Sequence, residues 1–332
     1  MNENNVVSSA PGRIDLSGGA TDWCGMHTLS LAINLRAKAE VSLLKDTSLI
    51  QIEIGNEFVE YKKPRYGGNL DLFKSVIELS GLKGFKVKYE TNIPKGSGLG
   101  GSAPLTVATL HSLNKLFRKK WSLYYIAELA QRAETLKLKT VQGLQDQYTA
   151  VFGGLVYMDF RNKECQKGKY SKPVEKEPYA TIEKLDQYCP NFHIIIAVPQ
   201  VERVSSNQTN QELSELYLNG NKKVVNQMKY VASLTQLAKK AVVDGKIQLL
   251  YEIINKNNNI MIEWGWLSKY NLEVMKIAKK NGALAIKTCG AGRGAMAIFA
   301  KDKNHQKQLF ELIKPKVTQI YKVKKDKGVK FI

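Results

Sequence analysis

Four glycines, Gly96, Gly98, Gly100 and Gly101, stand between an alternating apolar stretch, Gly84 to Tyr89, and a stretch with helical apolar spacing, Leu105 to Phe117. A strand–glycine–helix connection lets backbone N–H groups come close to a phosphate chain, and the helix N-terminus adds a favourable dipole. Ser102 follows, where its hydroxyl could reach a phosphate oxygen or Mg²⁺. Taken alone, Pro94-Lys95-Gly96-Ser97-Gly98-Leu99-Gly100-Gly101-Ser102 is also what a flexible connection looks like. No Gly-Lys-Ser/Thr follows, so it is not a Walker loop. Nor does it sit in the strand–helix–acid setting of a dinucleotide fingerprint.

Three carboxylates could complete a site. Asp146 lies in Gly143-Leu144-Gln145-Asp146-Gln147-Tyr148, where a lone aspartate is usually a cap or a solvated charge. Glu134 lies twelve residues earlier on a helical stretch and reads by default as an exposed helix carboxylate. Asp22 ends the run Ala10-Pro11-Gly12-Arg13-Ile14-Asp15-Leu16-Ser17-Gly18-Gly19-Ala20-Thr21-Asp22. It is either a turn residue or an acceptor able to take a bidentate pair from vicinal hydroxyls. Trp23 and His27 are near it and receive no role. Cys24, Cys165, Cys189 and Cys289 are far apart and have no zinc-site spacing.

The elements that must hold these residues follow from periodicity. The turn-rich run 10–22 reads as a loop between strands. Lys38 to Leu44 and Ile50 to Val59 alternate, which predicts antiparallel strands. Asn69 to Leu79 has helical spacing, and Ser122 is placed to cap a helix with inner face Leu123, Ile126, Ala127, Leu129, Ala130 and Ala133. Gln142 to Gly154 reads as a polar loop or helix start, and Leu155 to Phe160 as a strand. The stretch 161–183 is charged and reads as an exposed connection. Phe192 to Val198 is a β-branched strand, followed by helical stretches over 210–244, 247–266 and 272–281. Ala283 to Ala300 reads as strand, glycine turn, strand; His305 to Val317 as a helix; Gly328 to Ile332 as a closing strand. Both halves mix strands and helices without a βαβ rhythm, so the fold class is α+β, with domains expected at 1–175 and 176–332.

The chain has 332 residues, 50 Lys plus Arg against 30 Asp plus Glu, and a formal net charge of +20. Such an excess suits an anionic partner. The lysines are spread along the whole chain, however, and no basic–aromatic cluster marks a nucleic-acid surface. No nucleic-acid partner is expected. The start of the chain lacks a hydrophobic leader run, and no stretch approaches the ~20 apolar residues of a membrane span. A cytoplasmic protein, monomer or homodimer, without a membrane partner is the expectation.

The glycine loop gains meaning from two further motifs. It resembles the phosphate loop of the GHMP kinase superfamily, with Pro94, Gly98, Leu99, Gly100, Ser102 and Ala103 matching and Gly101 standing where serine is usual. The run 10–22 resembles that family's first motif in its sugar-kinase form, ending in Thr21-Asp22. Lys287-Thr288-Cys289-Gly290-Ala291-Gly292-Arg293-Gly294-Ala295 resembles its third, with Arg293 in place of a usual glycine. The resemblance spans residues 10–295 and is nearest to the heptose kinase, fucose kinase and galactokinase branch. It implies a ribosomal-S5-like N-terminal domain and a ferredoxin-like C-terminal domain, with ATP and a small sugar-like substrate in the cleft between them. Asp146 would then be the catalytic base and Arg13 its neighbour on the transferring phosphoryl group. Pro94, Gly96, Gly98, Leu99, Gly100, Gly101, Ser102 and Ala103 would hold ATP. Ser102 and Glu134 would hold Mg²⁺. Gly19, Thr21, Asp22, Gly290 and Gly292 would meet the acceptor. Within the same resemblance a cyclitol or isoprenoid-pathway acceptor, or a non-catalytic sugar sensor, stands as an alternative.

Overall fold

The computed structural model describes residues 4–163, 172–200, 206–291 and 293–332. In chain order the elements are β1 (Asn5–Ser17), β2 (His27–Leu43), β3 (Ile50–Ile54), β4 (Glu57–Tyr61), α1 (Asp71–Ser80), β5 (Phe85–Thr91), α2 (Ser102–Leu116), α3 (Leu123–Arg132), a π-helical turn (Ala133–Lys137), α4 (Gln145–Phe152), β6 (Leu155–Asp159) and β7 (Thr181–Lys184). Then come β8 (His193–Val198), α5 (Ser206–Leu218), α6 (Lys222–Val243), α7 (Ile247–Glu263), α8 (Lys269–Lys280), β9 (Ala285–Thr288), β10 (Met296–Ala300), α9 (Lys303–Ile313), β11 (Gln319–Val323) and β12 (Lys330–Phe331).

The first sheet runs β12-β1-β2-β5-β3-β4, and β6 pairs with both β2 and β7. All its pairs are antiparallel except β3 with β5. Along β2 the period-two pattern is plain: Ala37, Ala39 and Val41 are buried, while Lys38 and Glu40 are exposed. The buried face packs on α2, whose Val107, Ala108, Leu110 and Leu113 are fully enclosed. The second sheet runs β11-β8-β10-β9. In its own chain order this is 4-1-3-2, with helices between its first and second and between its third and fourth strands, the ferredoxin-like arrangement. The fold is α+β, as the residue pattern implied.

Four expectations change. The run 10–22 is not a loop for most of its length: β1 continues through it to Ser17, with register shifts at Pro11/Gly12 and Asp15/Ser17. Bulges admit a proline and a glycine inside a strand, which is why a turn-rich composition hid one. The helical stretch 210–244 is two helices, broken where Gly220 takes φ +70°. The stretch 161–183 is not simply exposed, because Lys163 and Glu177 are buried against α3. Sheet membership also carries the first unit past residue 175 to β7 and brings β12 back to it. We therefore propose a division near residue 190, with the C-terminal strand returned to the first unit.

Candidate active site

A cavity of about 640 Å³ opens between the two sheets' layers. The glycine loop forms one wall. Gly98 takes φ +73°, and a Cβ there would stand 1.9 Å from the Cys289 carbonyl oxygen. The two glycine turns therefore touch backbone to backbone. The Ala295 N–H donates to the Ser97 carbonyl at 2.7 Å, and a Cβ on Gly294 would stand 2.3 Å from the same oxygen. This contact joins the phosphate loop to the second sheet. The loop delivers the chain into α2, whose N-cap, Gly101, has no side chain to cap the first turn. The uncapped N–H groups of a helix start suit an anion.

Pro94, Gly96, Gly98, Gly100, Gly101 and Ser102 all border the cavity. Leu99 and Ala103 do not; their side chains are fully buried beneath it, and the Leu99 carbonyl accepts the Arg13 N–H at 2.9 Å. Gly101 has ordinary αR dihedrals and open space at its missing Cβ, the nearest atom being Ile93 Cγ2 at 3.6 Å. Ser97, given no role from sequence, lines the cavity, and its buried hydroxyl has no hydrogen-bond partner among the described residues.

Arg13 and Asp146, separated by 133 positions, meet here. Arg13 Nε and Nη2 both reach Asp146 Oδ1 at 2.7 Å, and Nη1 donates to the Gly98 carbonyl. Burial works against the Arg13 charge, but Asp146 and then Asp15 outweigh it and hold the guanidinium protonated. With Oδ1 engaged, Asp146 Oδ2 faces the Gly100 edge of the loop, 3.1 Å from where a Cβ of Gly100 would be. Asp146 sits in the first turn of α4, so its position comes from a helix start rather than from a mobile loop.

Asp22 lies in the turn after β1, only 4% exposed. Its carboxylate accepts the Trp23 N–H at 2.9 Å and the Gln145 N–H at 3.1 Å. Burial, helped by the charge of Asp146 against those backbone bonds, pushes it up to about 7. A Cβ on Gly143 would stand 2.0 Å from the Asp22 carboxylate, so a larger residue there would displace it. Gly19 lines the same wall, and its carbonyl accepts from Gln145 Nε2 at 3.0 Å. Thr21 is buried in the turn instead and donates its hydroxyl to the His27 carbonyl at 2.6 Å. Gly290 borders the cavity; Gly292 lies outside the described residues. Arg293 adopts φ +58°, a backbone region that favours glycine, and does not line the cavity.

Glu134 occupies the π-helical turn that ends α3, a local irregularity often found at functional sites. It is buried beside Gln147, which donates to it at 3.3 Å, and burial followed by the Asp146 charge pushes it up to about 7. Hydrogen bonding to Ser102 favours its charged form. Among the described residues no group of three His, Cys, Asp or Glu side chains could hold a metal by itself. Glu134 with Ser102 fits Mg²⁺ in its usual nucleotide setting, where one or two carboxylates act with phosphate oxygens and water.

Asp15 and Lys287 also meet at this site. Lys287 Nζ, on β9, is 2.8 Å from Asp15 Oδ2, on β1, and both side chains are buried. Both stood in the motifs already quoted, but a partner 272 positions away leaves no local signal.

The family model described as the GHMP kinases N terminal domain matches residues 69–154, and the galactokinase galactose-binding signature matches residues 1–43. The chain is 27% identical over 334 residues to the D-glycero-α-D-manno-heptose 7-phosphate kinase of Campylobacter jejuni, covering 93% of each chain. It is also 27% identical over 343 residues to the mevalonate kinase of Pyrococcus furiosus, covering 95% of this chain and 96% of that one. The crystal structure of Lactococcus lactis galactokinase with galactose superposes with TM-score 0.76 at 18% identity, covering 98% of this chain and 95% of the other. No helix among the described residues is long and apolar enough to cross a membrane.

Proposed function

We propose that this chain, a member of the GHMP kinase superfamily and hence an ATP-dependent phosphotransferase acting on an alcohol group, phosphorylates a hydroxyl of a sugar or sugar phosphate. The carrying observation is Asp146, clamped by Arg13 through one oxygen while the other faces the cavity beside the glycine loop. The backbone of Gly96 to Gly101 holds the phosphate chain, and Arg13 stands where charge develops on the transferring group. Asp146 Oδ2 accepts the acceptor's hydroxyl proton as the bond to phosphorus forms. Glu134 and Ser102 would hold Mg²⁺, which neutralises phosphate charge when bound. Asp22 takes hydrogen bonds from acceptor hydroxyls, so the neutral polyol face of a sugar suits it.

An isoprenoid-type acceptor is favoured by the mevalonate kinase similarity, but Asp22 and its neighbouring carboxylates oppose the carboxylate of mevalonate. A cyclitol offers Asp22 the same vicinal hydroxyls as a sugar. An ADP-release screen over free sugars, heptose phosphates, inositols and mevalonate compounds, with phosphorus NMR of any product, separates these. Asp146→Asn is expected to lower turnover by roughly 10²- to 10⁴-fold with nucleotide affinity nearly unchanged. Substantial turnover in that variant would refute the assignment, and no turnover with any acceptor class would favour a sugar sensor.

A further inference from the structure

Resting on the kinase reading, we propose that Asp15 is a second acceptor-binding carboxylate, held in place by Lys287, which takes a hydroxyl other than the one bound by Asp22. Asp15 is 1% exposed yet borders the cavity. Its two oxygens differ in kind. Oδ2 receives the Lys287 ammonium at 2.8 Å. Oδ1 has no hydrogen-bond partner among the described residues, and Arg13 Nη1, 4.0 Å from it, already donates to the Gly98 carbonyl. A buried carboxylate oxygen without a donor is costly, and Asp15 borders the cavity that an acceptor would enter.

The surroundings select the donor. Two cations, Arg13 and Lys287, flank Asp15, so a metal ion would be repelled from it. A phosphate would be repelled by the carboxylate itself. A neutral O–H donor remains, the group a polyhydroxylated acceptor presents. Asp15, Asp22 and Asp146 all line one cavity, and Arg13 links Asp15 to Asp146. The acceptor thus meets three carboxylates: Asp146 at the reacting hydroxyl, Asp22 and Asp15 at two others. Lys287 is a positioning residue. Its hydrogen bond to the Thr288 carbonyl at 2.8 Å fixes the ammonium on β9, so Asp15 also reads the seating of the second sheet against the first.

The test uses D-galactose, D-mannose, D-glucuronate, myo-inositol and D-glycero-D-manno-heptose 7-phosphate as probes with Mg²⁺ and ATP. For whichever is turned over, Asp15→Asn is expected to raise the acceptor KM roughly 10- to 100-fold, with the KM for ATP little changed. A merely structural role would move both constants together. A monodeoxy series of the same acceptor adds a readout that instability cannot mimic. One deoxy compound, different from the one to which Asp22→Asn becomes indifferent, should lose affinity with the wild type and lose none further with Asp15→Asn. An acceptor KM within twofold of wild type, or equal sensitivity of both enzymes to every deoxy compound, overturns the proposal while leaving the kinase reading intact. Failure of every probe to bind the wild type overturns both. Should Asp15→Asn not fold, the wild-type complex with the same acceptor decides: a sugar hydroxyl within hydrogen-bond distance of Oδ1 supports the role, and a water there overturns it.

Discussion

Asp22 carries a consequence at the scale of a single side chain. Its carboxyl is pushed from 3.8 to about 7 by burial, so the folded state prefers its protonated form. That preference stabilises the fold fully below the unfolded value and is lost as pH rises through the folded one. Relative to Asp22→Asn, whose side chain does not titrate, the wild type should therefore lose about 2 to 3 kcal/mol between pH 5 and pH 8. Denaturant unfolding of both proteins at the two pH values measures this, and a pH-independent difference contradicts it. The same titration predicts tighter acceptor binding above pH 7, where Asp22 is an acceptor-only carboxylate. Gly101 is the other informative position. Nothing in its dihedrals or surroundings requires glycine, so the serine usual in the family was not excluded by space. Gly101→Ser should keep the wild-type melting temperature and turn over with an equal or lower KM for ATP. A fall in melting temperature of several degrees would show that the loop is tighter than its geometry indicates.

At the scale of elements, the helices carrying Glu134 and Asp146 rest on a buried ionic cluster. Glu128 and Arg132 on α3 meet Lys163 and Glu177 from the segment after β6. Tyr148 on α4 donates to Glu128 at 2.6 Å, and Gln131, bound by Arg132, donates to the Gln142 carbonyl just before Asp146. Among the described residues two acids and two bases face one another here, and removing one disturbs a buried ionic pairing. Lys163→Met should cost about 3 to 5 kcal/mol in denaturant unfolding, and a loss below about 1 kcal/mol would show that the cluster is not coupled. The cluster also marks where sequence reading reached its limit. The alternation at 38–44 within β2 and the capping serine of α3, Ser122, were legible because their signals are local, whereas the stretch 50–59 is two strands, β3 and β4, turning at Gly55. The stretch 161–183 looked like a solvated connection because the charges of Lys163 and Glu177 are compensated by Glu128 and Arg132 on a distant helix. Within β1, Pro11 and Gly12 spoke for a loop, while the burial of Ala10, Ile14 and Leu16 spoke for a strand, and tertiary pairing with β2 decided. The site was legible as three motifs; the Asp15–Lys287 pair, Ser97 and the Gly143 contact with Asp22 were not, since only the folded chain brings them together.

At the scale of the whole molecule, the two sheets are joined at the site itself. Besides the Asp15–Lys287 ion pair, the joint there includes a backbone contact of Gly98 and Ser97 with Cys289, Gly290 and Gly294, closed by the Ala295 to Ser97 hydrogen bond; away from the site, Asn34 and Ala32 on β2 also bond to Lys324 and Asp326 after β11. Gly294 stands in that contact and is absent from the cavity wall. A methyl group on it would lie 2.3 Å from the Ser97 carbonyl oxygen and 2.9 Å from that of Cys289. Neither is the flexible end of a side chain, so one turn must move. The turn that moves holds the phosphate loop in shape. Gly294→Ala should therefore weaken ATP binding by an order of magnitude or so, about 1.4 kcal/mol, although the residue borders no part of the nucleotide's cavity. The same reasoning makes its effect non-additive with Gly98→Ala, because both substitutions break one contact and the second has less left to break. Equilibrium nucleotide binding by the two single variants and the double variant completes the cycle. If the two losses simply add, the two glycines act independently and the shared contact is not what holds the phosphate loop in shape.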